Sequence, residues 1–101
     1  MFDKVTEINL LYDFYSQLLT EKQREVVRLY HCENYSLAEI ADNLSISRQG
    51  VHDTLKISEK ALAEYEEKLG MVRRFEYASG LLKEAEKHIG ALKKIMEELG
   101  N

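Results

Sequence analysis

Apolar side chains recur at three- and four-residue steps along most of the chain, and no stretch alternates strictly between apolar and polar. That period belongs to amphipathic helices rather than to strands. There is no proline, and no Asn-Gly or Asp-Gly pair marks a hairpin. The pattern therefore predicts an all-α protein. Residues 4–19 carry Val5, Ile8, Leu11, Tyr12, Tyr15 and Leu19 on one stripe, widened by Leu10, Phe14 and Leu18. A face this broad is expected to be buried on more than one side, as a core helix.

Capping chemistry marks the helices that follow. Thr20 with Gln23 three residues on has the form of a capping box, in which the hydroxyl takes one free backbone N–H and the amide reaches back to another. The helix it opens carries Val26, Val27, Leu29 and Tyr30 and is expected to close near Asn34. Ser36 and Glu39 repeat the device before a short helix with Leu37, Ile40, Ala41 and Leu44, and Ser47 caps the next. Gly70 can end that long helix as a residue in the left-handed region.

The two helices opened by Ser36 and Ser47 have the spacing of a helix-turn-helix. Ala41 supplies the small side chain needed where two backbones approach, and Ile40, Leu44, Ile46, Val51 and Leu55 wedge the pair together. Arg48, Gln49, His52, Asp53 and Lys56 are left on the outer face of the second helix. In such a unit the first residues of the second helix meet base edges in the major groove. Arginine suits guanine and glutamine suits adenine by paired hydrogen bonds, and a capping serine can receive a phosphate. The candidate nucleic-acid-binding residues are Ser47, Arg48, Gln49, His52 and Lys56. Ser45 stands where glycine commonly makes the turn, and Gly50 within the second helix implies either a close backbone neighbour or a loose helix start.

Charge qualifies that reading. The chain of 101 residues carries 14 basic and 18 acidic side chains, a formal net of −4. Residues 1–70 hold 8 basic and 13 acidic groups, a net of −5, whereas residues 71–101 hold 6 and 5, a net of +1. A phosphate-binding face must then be local, and generic DNA should be bound weakly. A basic stripe joining Arg48 and Lys56 to Arg24 and Arg28 is the feature that favours DNA; burial of the same face against another chain favours a protein-interaction module. The single Cys32 forms no internal disulfide and is expected to be a small buried hydrophobe, since neither it nor His31 has metal-ligand spacing. No phosphate loop or nucleophile–base motif is present, so no catalytic, metal or cofactor residues are expected. With 45% hydrophobic residues, no apolar run long enough for a membrane span and no leader-like N-terminus, a cytoplasmic protein is expected.

The run LTEKQREVVRLYHCENYSLAEIADNLSISRQGVHDTLKISEKAL resembles the promoter-reading C-terminal domain of bacterial sigma factors. With the N-terminal helix and the charged C-terminal part, the whole chain resembles the YlxM family, through the phrases EKQREV, EIA and above all SRQGVHD. That resemblance implies a small, bacterial, cytoplasmic, non-catalytic regulatory protein encoded beside the genes of the signal recognition particle, with that particle's protein or RNA as partner. The implied architecture is a bundle of four to six helices.

Residues 1–70 are thus expected to form the helix-turn-helix domain, and residues 71–101 a C-terminal helical extension. The extension carries Phe75, Leu82, Ala85, Ile89, Leu92 and Ile95 or Met96 on one side, interrupted by Gly80 and Gly90. Such a stripe either packs back on the core or pairs with a second copy. It outruns what the short core helices can cover, so a homodimer through this segment is expected. Three functions follow: a DNA-binding regulator, an accessory of the signal recognition particle pathway, or a helical interaction module that keeps the motif as a scaffold.

Overall fold

The computed structural model describes residues 3–100. Five α-helices carry the chain: α1 Lys4–Tyr15, α2 Glu21–Val27, α3 Leu37–Leu44, α4 Arg48–Leu69 and α5 Met71–Gly100. No strand occurs among the described residues, and the fold is an all-α helix-turn-helix. The expected caps are in place. Thr20 and Ser36 each close a complete capping box with Gln23 and Glu39, and the Ser47 hydroxyl accepts the Gly50 N–H at 2.9 Å.

Helix α4 is the central strut, packed against α1, α2 and α3. The core gathers Leu11, Tyr15 and Leu19 from the first segment, Val26, Val27 and Leu29 from the second, Ile40 and Ala41 from α3, and Val51, Leu55 and Leu62 from α4. Val72, one residue into α5, joins them. Ser58 lies fully buried within α4, and its hydroxyl donates back to the Thr54 carbonyl at 2.6 Å, which satisfies it without a tertiary partner.

Two expected helices are cut differently. Residues 4–19 are not one α-helix: α1 ends at Tyr15 and a 3₁₀ turn spans Ser16–Leu18. Leu19 then turns extended, and the Arg24 guanidinium donates to the Ser16 and Leu19 carbonyls at 3.1 and 3.3 Å, replacing the helical bonds that the break removes. Val5 and Leu18, placed on the buried stripe by periodicity, are exposed. The second helix passes from α2 into a π-helical turn, Arg28–Cys32, and closes where Asn34 takes a left-handed φ of 60°. That wider turn rotates Cys32 outward. Cys32 is exposed, contrary to expectation, and its thiol donates to Asn9 Oδ1 at 3.7 Å.

Helix α4 ends on Gly70, whose φ of 64° is left-handed, and α5 starts at once. The first turns of α5 rest on the body, with Phe75 edge-on to Phe14 at 5.8 Å between ring centres. Beyond residue 79 every described residue of α5 is exposed, and the helix runs unbroken through Gly80 and Gly90. The molecule is accordingly elongated, 69 × 28 × 19 Å.

Candidate nucleic-acid interface

Helix α3 closes on Ser45, which adopts the left-handed region at φ 56°, ψ 44°. Both the Ser45 and Ile46 N–H groups fold back on the Ala41 carbonyl, a Schellman-type stop. The turn is therefore the glycine geometry made with serine, at a cost of about 1 kcal/mol. Ala41 is buried beneath it, and Ile46 packs on the core beside it. Gly50 has a local explanation. A Cβ placed there meets the Ser47 hydroxyl at 3.0 Å, so the glycine leaves room for the cap itself rather than for a neighbouring backbone.

The five candidate residues come together on one exposed surface at the start of α4. Ser47 and Arg48 open the helix, Gln49 and His52 follow on the outer face, and Lys56 continues it one turn on. Leu37 from α3 joins Arg48, Gln49 and His52 around a shallow hollow of about 300 Å³.

Carboxylates thread this surface. The Gln49 amide donates to Asp53 Oδ1 at 2.9 Å, and His52 Nδ1 lies 3.5 Å from the same oxygen. Lys56 Nζ stands 3.8 Å from Glu59 Oε1, while the other Glu59 oxygen meets His31 Nε2 at 2.6 Å. Arg48 has no hydrogen-bond or ion-pair partner among the described residues. The Gln49–Asp53 pair sits at the four-residue spacing that favours such a bond in any helix, a signal present in the sequence but not drawn from it.

The two arginines of the expected wider basic stripe are engaged within the protein. Arg24 is committed to the two carbonyls of the 3₁₀ turn. Arg28 is held between Glu25 and Glu33, and its bond to Glu25, opposed by partial burial, raises its proton affinity above the ordinary guanidinium value. Glu39, by contrast, is held below the ordinary carboxyl range by the Ser36 N–H that it caps. Among the described residues no three His, Cys, Asp or Glu side chains converge as metal ligands, and no helix is long and apolar enough to cross a membrane.

Fold and surface together define a helix-turn-helix protein. The profile of the UPF0122 family, described as "Putative helix-turn-helix protein, YlxM / p13 like", matches residues 2–101. The chain belongs to this family. It is 45% identical over 86 residues to a UPF0122 protein of Listeria welshimeri, covering 85% of this chain and 78% of that one. A relative from Halalkalibacterium halodurans is 48% identical over 84 residues, with 83% and 77% covered. One from Thermoanaerobacter sp. strain X514 is 44% identical over 108 aligned positions, with 98% and 92% covered.

Proposed function

We propose that this protein is a non-catalytic helix-turn-helix regulator that sets the first turns of α4 into the major groove of DNA. The observation that carries the reading is Arg48: an exposed guanidinium without a partner among the described residues, in the first turn of the helix that follows the motif's turn. In this role Arg48 pairs with guanine O6 and N7. Gln49 addresses adenine once it leaves Asp53, and His52 and Lys56 position the phosphate backbone. The Ser47 hydroxyl, whose oxygen already caps the helix, keeps its proton to donate to a phosphate. By family resemblance the regulator works in the cytoplasm within the signal recognition particle pathway, with that particle's protein or RNA as a further partner. The exposed stripe of α5 is its assembly element.

Asp53 and Glu59 favour a second reading, a protein-interaction module, because they leave the outer face of α4 nearly neutral. Selection of duplexes from a randomised DNA pool, followed by fluorescence anisotropy across a salt series, decides between the two. Recovery of a consensus containing guanine, with a preference for that base that Arg48→Ala relaxes, supports groove readout. A pool with no enrichment at low salt supports the interaction module.

A further inference from the structure

We propose that residues 82–99 of α5 pair with the same segment of a second copy as an antiparallel two-helix coil, in the register that sets Leu82 against the partner's Leu99. The segment is part of a 30-residue helix whose last two-thirds are exposed throughout. A helix of about 20 residues without tertiary packing is marginal in water, so its persistence calls for a partner.

The seam is a heptad. Leu82, Ala85, Ile89, Leu92, Met96 and Leu99 step by alternating threes and fours, the a and d positions of a coiled coil. Gly80 and Gly90 fall on the outer side of that seam, where they cost helix stability but no packing. The large seam residues are exposed in the single chain, Leu99 at 80% and Met96 at 69%.

Charge selects the direction and the register. With Leu82 opposite the partner's Leu99, small Ala85 faces the partner's Met96 and Ile89 faces the partner's Leu92. One flank then sets Glu86 beside the partner's Lys93, and the two-fold axis repeats the pair. On the other flank Ile95 meets the partner's His88. A slip of one heptad toward the body juxtaposes Glu86 with the partner's Glu86 and draws Phe75 off Phe14. A parallel coil sets Glu86 against the partner's Leu81 and Lys93 against the partner's His88, with no complementary pair. A lipid surface fits less well, because the polar side of α5 mixes Glu84, Glu97 and Glu98 with Lys83, Lys87 and Lys94 and so offers anionic headgroups no net attraction. The inference is independent of whether α4 reads DNA.

Full-length protein with Cys32→Ser and a nitroxide at Tyr77→Cys or, separately, Glu98→Cys tests it by dipolar spectroscopy. Both positions lie off the seam. The proposed register offsets the two labels along the axis by about 40 Å at residue 77 and about 22 Å at residue 98, at 1.5 Å per residue. Near-equal distances at the two positions, whether short as in a parallel coil or near 30 Å as in the slipped register, overturn it. In light scattering, Glu86→Lys and Lys93→Glu should each weaken the dimer roughly tenfold at low salt, and the double exchange should restore it. A parent protein that is monomeric at hundreds of micromolar, or a double exchange that does not rescue, also overturns it.

Discussion

The Tyr15 hydroxyl donates to Glu66 Oε1 at 2.7 Å, joining residues 51 positions apart and pinning α1 to the corner between α4 and α5. The same hydroxyl oxygen accepts the Met71 N–H at 2.9 Å, and Glu66 accepts the N–H groups of Val72 and Arg73 at 2.9 and 3.1 Å. These are donors that the start of a helix leaves without intrahelical partners. With no serine or threonine before it, α5 is capped by side chains from two other helices.

Burial pushes the Glu66 carboxyl up, but the hydrogen bonds from Tyr15, Val72 and Arg73 outweigh it and leave the group below its ordinary value of 4.5. A folded-state pKa below the unfolded one means stability that is complete above about pH 4.5 and lost as pH falls through the lower folded value. Glu66→Gln should therefore be less stable than the parent at pH 7, and the difference should shrink as pH drops below about 4.5. Tyr15→Phe, which strips a partner from both Glu66 and Met71, should cost about 1–3 kcal/mol at neutral pH. Urea melts from pH 7 to pH 3 check both; a gap between the parent and Glu66→Gln that stays constant with pH removes the carboxylate from this account.

Ala41 predicts the behaviour of the motif's inner contact. It is buried with Ile40 and Val51 where α3 meets α4, so Ala41→Leu forces extra volume into a filled space. A loss of about 1–3 kcal/mol is expected from overpacking, read as a lower midpoint in thermal or urea unfolding.

Ser45 predicts the opposite sign. Its left-handed backbone is strained for a residue with a Cβ, and its carbonyl-capping N–H is retained by any non-proline residue. Ser45→Gly should stabilise by about 0.5–1 kcal/mol, the relief of strain exceeding the greater entropy of an unfolded glycine. An unchanged or lower midpoint means that the strain is absorbed elsewhere in the turn.

What could be read from the sequence was local. Capping boxes at Thr20 and Ser36 and the cap at Ser47 act within three residues, so their spacing alone located α2, α3 and α4. The left-handed stop at Gly70 was equally legible, because few residues but glycine accept that backbone. Long-range chemistry was not. Nothing near Tyr15 announces Glu66, and nothing near Arg24 announces the carbonyls of a broken helix end. The π-helical turn at Arg28–Cys32 adds a residue to the period, and it moved Cys32 from an expected interior position to the surface. The outer face of α4 lay between these cases. Its residues were identified by spacing, and the four-residue step between Gln49 and Asp53 was legible too, but only the folded helix shows the bond formed, at 2.9 Å.

That pairing carries a prediction for DNA. Asp53 holds the Gln49 amide and lies near His52, adding negative charge where phosphates must approach. Asp53→Asn should raise DNA affinity across sequences, since it removes a repulsive charge and loosens the hold on Gln49. Arg48→Ala should relax base preference, whereas Lys56→Ala should lower affinity evenly and reduce the salt slope by about one. Anisotropy titrations on matched and mismatched duplexes separate these effects, and identical curves for all three variants and the parent exclude groove readout.

The last prediction locates the end of the folded body. Val72 lies in the core at 4% exposure, and the corner built by Tyr15 and Glu66 takes its donors from Met71, Val72 and Arg73. A chain ending at Gly70 loses a core side chain and leaves the half-buried Glu66 without two of its hydrogen-bond donors. Each loss is of the order of 1–3 kcal/mol, a large share of what a domain this small holds. A chain ending at Gly80 keeps the corner and the Phe75–Phe14 contact while discarding only exposed helix. The longer truncate should melt cooperatively near the parent body's midpoint and scatter as a monomer, and the shorter should melt well below it. Equal midpoints for the two truncates mean that the first turns of α5 do not belong to the body, whatever the stripe beyond them pairs with.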